Sequence, residues 1–444
     1  MLIRFTVSNF LSFKDETEFN MLTGDVKRHP HHVYKREHID VLRATAIYGA
    51  NGAGKSNLIK AIAFLKKIIS GEDILKTYQK FKLAKEYLEK PSELEIEFLI
   101  NNIAYAYGVI IDNERIVEEW LYRINIDKKD EIVFERKTDE SGINKLVVNE
   151  KYRQTQKDIY FVEFYEKELL STNKSFISTT KNEHFEDIQL IKTWFQNNVI
   201  LITPTTRPFG IYSQLFQTEQ LRLLFTEMIP QFNTGLVNIE FNKEELSEDN
   251  AIKILGKERV DSLKNNSEKT IVQNLKKKVV VFSLIDEKIF RNELVGFHDS
   301  NDGLIEFKLD EESDGTIRIL DFISIIFDIR DNNKITIIDE IERSIHPSLL
   351  KTFVKLLMEM KESKGQIIFT THESNLLDLD IFRQDEIWFT EKNKEGATQF
   401  YSLSDFKPRY DLDIRKGYLN GRFGAIPFLG DLEKLNWNHH AATE

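Results

Sequence analysis

Residues 44–69 read ATAIYGANGAGKSNLIKAIAFLKKII. An apolar run ends at Gly49, and Gly49, Gly54, Lys55 and Ser56 fit the spacing G-x-x-x-x-G-K-S. The intervening Asn51, Gly52 and Ala53 leave the backbone free to curl, so that successive N–H groups point inward and form a nest for an anion. Beyond the loop, Leu58, Ile59, Ile62, Ala63, Leu65 and Ile69 repeat at helical spacing. The pattern therefore predicts a strand, a phosphate-binding loop and a helix whose positive end supports bound phosphate. Lys55 is placed to bridge terminal phosphates and Ser56 to hold Mg²⁺, with Asn57 next along the helix as a further nucleotide contact. A glycine-rich turn without a ligand is the alternative, and the correct flanks on both sides weigh against it.

A nucleoside triphosphate site needs carboxylates, and ITIIDEIERSIHP, residues 335–347, supplies a pair. A buried charge is costly unless paired or bound to metal. Asp339 at the end of the apolar strand is suited to the ion, and Glu340 to polarising an attacking water. An acidic helix cap is the plainer reading of the same residues. In QIIFTTHES, residues 366–374, His372 follows another apolar run, where it would sense a γ-phosphate or simply be a satisfied core histidine. Residues 308–327, KLDEESDGTIRILDFISIIF, read as a helix start with Ser313 before an apolar pattern. Beside the other motifs, Ser313 and Gly315 suggest a second phosphate contact.

The order of these motifs resembles the ABC-type ATPase heads of the SMC and RecF group. It is more narrowly similar to bacterial AAA-family ATPases of abortive-infection and anti-phage systems, of the RloA or AbiL type, which occur beside toprim or other nuclease-like partners. The resemblance also takes in VSNFLSFKDETEF (7–19), FERKTDE (134–140), TTHESNLLD (370–378), DEIWFTEKNKEGATQFYSLSDFKPR (385–409) and IRKGYLNGRFGAIPF (414–428). It implies a homodimer, or a higher homo-oligomer, with Mg²⁺–ATP sandwiched between heads. One subunit then contributes Gly49–Ser56, Asp339, Glu340 and His372, and the other Ser313 and Gly315. Arg343 to His346 match the loop that crosses between subunits. Asn9, Phe10, Ser12, Phe13 and Lys14 match the turn that approaches the base, Lys14 being equally well a solvated lysine. The usual metal-coupling glutamine has no counterpart: Gln79 does not end a strand, and ELEIEFLI ends without glutamine.

The resemblance further implies an ATP-hydrolysing regulatory subunit that holds or gates a separate nuclease or toxin, with a phage protein as possible trigger. A RecF-like DNA-repair ATPase is the alternative, and a transporter ATPase a third. The net charge of -11 speaks mildly against a nucleic-acid coat.

The expected architecture is α/β, a two-lobed P-loop head. Residues 1–150 form a first lobe with an antiparallel sheet around turns at Asn101–Asn102 and Asp112–Asn113. Residues 151–290 form a compact, mainly helical insertion without heptads for a long arm. Residues 291–400 form a second lobe with a mainly parallel sheet, and 401–444 an ordered tail. Lys276, Lys277 and Lys278 read as a solvated charge run rather than a phosphate contact. With 41% hydrophobic and 30% charged residues the composition is that of a globular protein. No apolar stretch is of membrane-spanning length, and no signal peptide is evident, so cytoplasmic residence is expected. Cysteine is absent, which excludes disulfides and thiol chemistry. The histidine-rich HPHHVYKREH, which begins at His29 and ends at His38, lacks Cys or spaced carboxylates and reads as a polar loop.

Overall fold

Asn101 and Asn102 both take the left-handed conformation, with φ of 48° and 68°. Two such residues make the tight turn whose twist matches paired strands, and the strands Ser92–Ile100 and Ile103–Ile111 pair across it in antiparallel register. In the computed structural model, residues 1–36, 39–74, 76–125, 128–181, 184–204, 210–265, 270–275 and 278–426 are described. They fall into two units: Thr193–Phe369, with Met1, and the combination of Leu2–Lys192 with the residues from Thr370 on.

The hairpin belongs to a seven-stranded antiparallel sheet in the second of these units. Its order runs Asn144–Val148, Glu131–Thr138, Ile116–Ile124, Ile103–Ile111, Ser92–Ile100, Leu2–Ser8, Thr17–Asn20. In the same unit the fully buried strand Ala44–Gly49 lies parallel to Ile387–Lys392, which pairs antiparallel with Thr398–Ser402. Helix Lys55–Ser70 follows the loop and buries Leu58, Ile59, Ile62, Leu65 and Ile69, the apolar face expected from the spacing. The chain from Tyr401 packs back on this sheet. Tyr418 and Phe423 stack on Phe389 at 5.6 and 5.8 Å between ring centres, and Tyr401 donates to the Phe423 carbonyl. The aromatic–glycine pattern of the tail is thus used in packing as far as residue 426.

In the first unit, Val199–Ile202, Ile335–Ile338 and Gln366–Thr371 run parallel, the last two residues of the third strand belonging to the second unit. Helix Asp314–Asp331 is buried on all sides from Thr316 to Ile329, polar residues included. Phe322 stacks on Phe353 of helix Pro347–Glu359 at 4.0 Å. Its buried charges are partnered: Arg318 lies 3.8 Å from Asp321, and Asn332 donates to Asp328, whose carboxyl burial raises above the ordinary value.

The stretch 151–290 contains the short helices expected of it and also strands. Leu236–Leu246, Thr270–Leu275, Lys278–Ile285, Lys288–Ser300 and Gly303–Lys308 form one antiparallel sheet. Helices Glu248–Leu255 and Lys257–Lys264 cover it, with Ala251, Leu255, Val260 and Leu263 against Ile271, Val280, Phe282 and Ile289. The strand LVNIEFNKEEL is mostly exposed beyond Ile239, so it lacks the apolar alternation that marks a half-buried strand in sequence. Among the described residues the longest helix has 18 residues, and none is long and apolar enough to cross a membrane. Lys276 and Lys277, the side chain of Lys278, and His38 lie outside the described residues.

Candidate nucleotide site

The second unit holds the phosphate loop. Gly49 closes the strand where a side chain has no room: a Cβ there would lie 2.5 Å from the Thr390 carbonyl oxygen. Gly52 and Gly54 have φ of 78° and 114°, conformations that glycine adopts without penalty. A Cβ on Gly52 would meet nothing, whereas one on Gly54 would lie 2.1 Å from Thr398 Oγ1. Helix Lys55–Ser70 starts at left-handed Gly54 with no side chain capping it. A helix start that lacks a side-chain cap is a place where an anion can take the cap's part. Asn51 and Gly52 are exposed at the tip, and Ala53, Gly54 and Lys55 are buried. Lys55 folds back over the loop, its Nζ donating to the carbonyls of Gly49 at 2.6 Å and Ala50 at 3.1 Å.

Behind the loop lies a buried hydroxyl network absent from the sequence reading. Thr398 Oγ1 is 2.9 Å from the Ala53 carbonyl and 2.8 Å from Ser12 Oγ, and the Thr398 N–H donates to the Ser12 carbonyl at 2.8 Å. Asn57, expected at the nucleotide, has its amide turned to Ser12 Oγ at 2.8 Å. The N-terminal turn is itself clamped, because the buried Asn9 amide donates to the carbonyls of Tyr87, Lys90 and Pro91. Phe10 and Phe13 are buried, and Lys14 is paired with Glu395 at 2.8 Å. Gln79 sits in irregular chain, its carbonyl accepting from the Leu11 N–H. Thr398 carries no local signal that could have singled it out; only its distance to residue 53 does. His372 belongs to this unit as well and is exposed just past the strand Gln366–Thr371.

The first unit carries the acidic pair and the S-D-G-T stretch at residues 313–316, here called the signature. Asp339 follows the buried strand Ile335–Ile338, is 6% exposed, and its N–H extends the parallel ladder to the Ile202 carbonyl at 2.8 Å. Glu340 then breaks the strand in the left-handed conformation, φ 53°, half-buried, with its carbonyl accepting from the Arg343 N–H. The turn continues through Ser344, also left-handed at φ 63°. Ser313 is the N-cap of its helix, accepting from the Thr316 N–H at 3.0 Å, as the cap reading expects. Gly315 packs on the turn so closely that a Cβ would lie 3.0 Å from the Ser344 carbonyl oxygen. The signature and the turn after the acidic pair are therefore one surface, with a cleft of about 210 Å³ lined by Asp314, Arg318, Asp321 and Arg343 among others. This adjacency is a second feature that no spacing in the sequence announces.

The chemistry available is anion binding at the loop and cation binding at a strand-end carboxylate. The model of the family described as "AAA domain, putative AbiEii toxin, Type IV TA system" matches residues 44–378, a span that takes in the loop, the signature, the acidic pair and His372. No curated protein matches significantly. Among solved structures, an SMC head bound to the C-winged helix domain of ScpA is similar at 14% identity and TM-score 0.41, over 92% of this chain and 99% of that one. The SMC head domain from Thermotoga maritima is similar at 12% identity and TM-score 0.36, over 90% and 98%. An SMC head with an extended coiled coil, bound to the C-terminal domain of ScpA derived from Pyrococcus furiosus, gives 14% and 0.41, over 95% and 99%.

Proposed function

This chain belongs to that AAA-domain family, and from that premise we propose that it is a regulatory ATPase of an anti-phage defence system. It binds ATP at the phosphate loop, pairs head to head with a second copy across the nucleotide, and gates a separate nuclease or toxin. The observation that carries the nucleotide reading is the loop itself: Gly49 and Gly54 stand where any side chain would collide, Gly52 faces open space, and no side chain caps the helix behind them. The backbone N–H groups from Gly49 to Ser56 hold the phosphates, and Lys55 leaves its two carbonyl acceptors for them. Ser56 and Asp339 are the residues that would hold Mg²⁺, which neutralises phosphate charge when bound.

Glu340 polarises the attacking water and His372 contacts the γ-phosphate. Ser313 and Gly315 of the second copy close the pocket, so that ATP joins two molecules and hydrolysis releases them. The defence role is supported by the family's description, which names a toxin and a Type IV toxin–antitoxin system. Sedimentation of the full chain with ATP and Mg²⁺ tests the head-to-head reading, Glu340→Gln serving to slow hydrolysis. A nucleotide-dependent shift to a dimer or larger assembly is expected. An unchanged sedimentation coefficient at saturating ATP would overturn it.

A further inference from the structure

The segment KRHPHHV, expected to be a plain polar loop, is tightly built. His29 takes the left-handed conformation, φ 50°, and Pro30 opens the short 3-10 turn Pro30–His32. That turn gathers three imidazoles. His29, His31 and His32 each offer one ring nitrogen, and these atoms all lie within 4.8 Å of one another. His32 is buried, while His29 and His31 are half-exposed.

Two of the three rings also have polar partners in the fold. His32 Nδ1 lies 3.0 Å from both oxygens of Glu386, a carboxylate with no exposure. His29 Nε2 lies 3.0 Å from the Leu379 carbonyl. A carbonyl only accepts, so Nε2 of His29 carries the hydrogen and Nδ1 keeps its lone pair. A carboxyl or carbonyl partner is how metal-ligating histidines are oriented, and His29 and His32 each have one. The three rings also pack on one another, His29 stacked on His32 at 4.8 Å and His31 edge-on to both at 6.0 and 4.4 Å, so sharing one ion requires the rings to turn.

We propose that His29, His31 and His32 form a binding site for a divalent transition metal of the zinc class, with Glu386 and the Leu379 carbonyl as the outer shell. Three imidazoles without thiolate suit Zn²⁺, Cu²⁺ or Ni²⁺ rather than Mg²⁺ or Ca²⁺. Ligand distances of about 2.0–2.1 Å around a tetrahedral ion put the nitrogens roughly 3.4 Å apart. The half-exposed His29 and His31 therefore close inward on binding, and water completes the shell.

The site lies where the segment around residues 24–32 grips the chain between His372 and the strand Ile387–Lys392. Gly24 N–H donates to Asp385 at 2.8 Å, Arg28 pairs with Asp380 at 2.7 Å, and Arg383 donates to the Arg28 carbonyl at 2.9 Å. Because Ile387–Lys392 pairs with the phosphate-loop strand, bound metal would stiffen the connection from His372 to that strand. The inference is independent of which effector the protein gates.

The full-length chain, stripped with EDTA and dialysed, is titrated with Co²⁺ and with Zn²⁺. Visible Co²⁺ absorption, metal content and thermal unfolding are read. The wild type is expected to take up one ion, to develop tetrahedral Co²⁺ bands and to gain thermal stability with Zn²⁺. His29→Ala and His31→Gln, both at half-exposed positions, are expected to weaken uptake at least about tenfold, with metal-free unfolding unchanged. Asp339→Asn is expected to bind Co²⁺ as the wild type does, which separates this site from the Mg²⁺ position. Absence of stoichiometric uptake by the wild type, or uptake unaltered in both histidine variants, overturns the proposal.

Discussion

Thr398 occupies the space that a side chain on Gly54 would need: a Cβ at residue 54 would lie 2.1 Å from Thr398 Oγ1. The same hydroxyl is bonded to the Ala53 carbonyl and to Ser12 Oγ, so the loop's shape is held from behind by residues remote in sequence. Thr398→Val keeps the shape but removes the shorter of two hydroxyl bonds to the Ala53 carbonyl, leaving only Thr390 Oγ1 at 3.5 Å. A loss of about 1–3 kcal/mol is expected, together with weaker ATP binding, measured by chemical unfolding and nucleotide titration. Gly54→Ala adds a positive-φ penalty to a direct collision, and loss of ATP binding is expected.

Glu340 sits at φ 53°, half-buried, immediately after Asp339. Glu340→Gln preserves size and backbone demands while removing the carboxylate. Turnover is expected to fall by about 10²–10⁴-fold, with ATP affinity within about threefold of wild type, as read by phosphate release and equilibrium titration. Normal turnover in this variant would remove Glu340 from the role assigned to it.

Gly315 approaches the Ser344 carbonyl at a separation that leaves no slack for a methyl group, 3.0 Å from the ideal Cβ position. Gly315→Val forces the signature helix away from the turn and is expected to cost about 1–3 kcal/mol. ATP binding by the phosphate loop should persist while nucleotide-dependent assembly is lost. Separate titration and sedimentation measurements distinguish the two effects.

Glu119 has no exposure and receives the N–H groups of Phe176 and Ile177 at 2.6 and 3.2 Å, with Arg136 3.6 Å away. The adjoining Ser175 hydroxyl donates to the Ile68 carbonyl near the end of the phosphate-loop helix, so this ion pair supports the element behind the site. Glu119→Ala strands the buried Arg136 charge, and a loss of about 3–5 kcal/mol is expected in chemical unfolding at neutral pH. Burial holds the Glu119 carboxyl above its ordinary value of 4.5, against the opposing pull of Arg136. A raised carboxyl binds its proton more tightly in the folded state. Its contribution to stability is therefore fully present below 4.5 and is lost as pH rises through the folded pKa. Stability profiles of wild type and Glu119→Gln should differ in slope across that window.

The features legible from residue order lie within short windows of chain. Gly49 to Ser56 specify a loop because left-handed φ values, a lysine and a helix start are all encoded by adjacent residues. Asn101–Asn102 specify a hairpin turn, and Ser313 a helix cap, for the same reason: the bonds concerned span at most a few residues. The parallel strands ending at Asp339 and Thr371 were legible as unbroken apolar runs. The exposed strand Leu236–Leu246 was not, because solvent on its faces removes the alternation that burial imposes. Tertiary structure alone decided which distant groups meet. Thr398 reaches Ser12 and Ala53, Gly315 reaches Ser344, and His32 reaches Glu386, although 386 residues separate the first pair and 354 the last. Hydroxyls, carbonyls and carboxylates of this kind look the same in sequence whether solvated or buried, and only packing removes water and makes one particular partner obligatory.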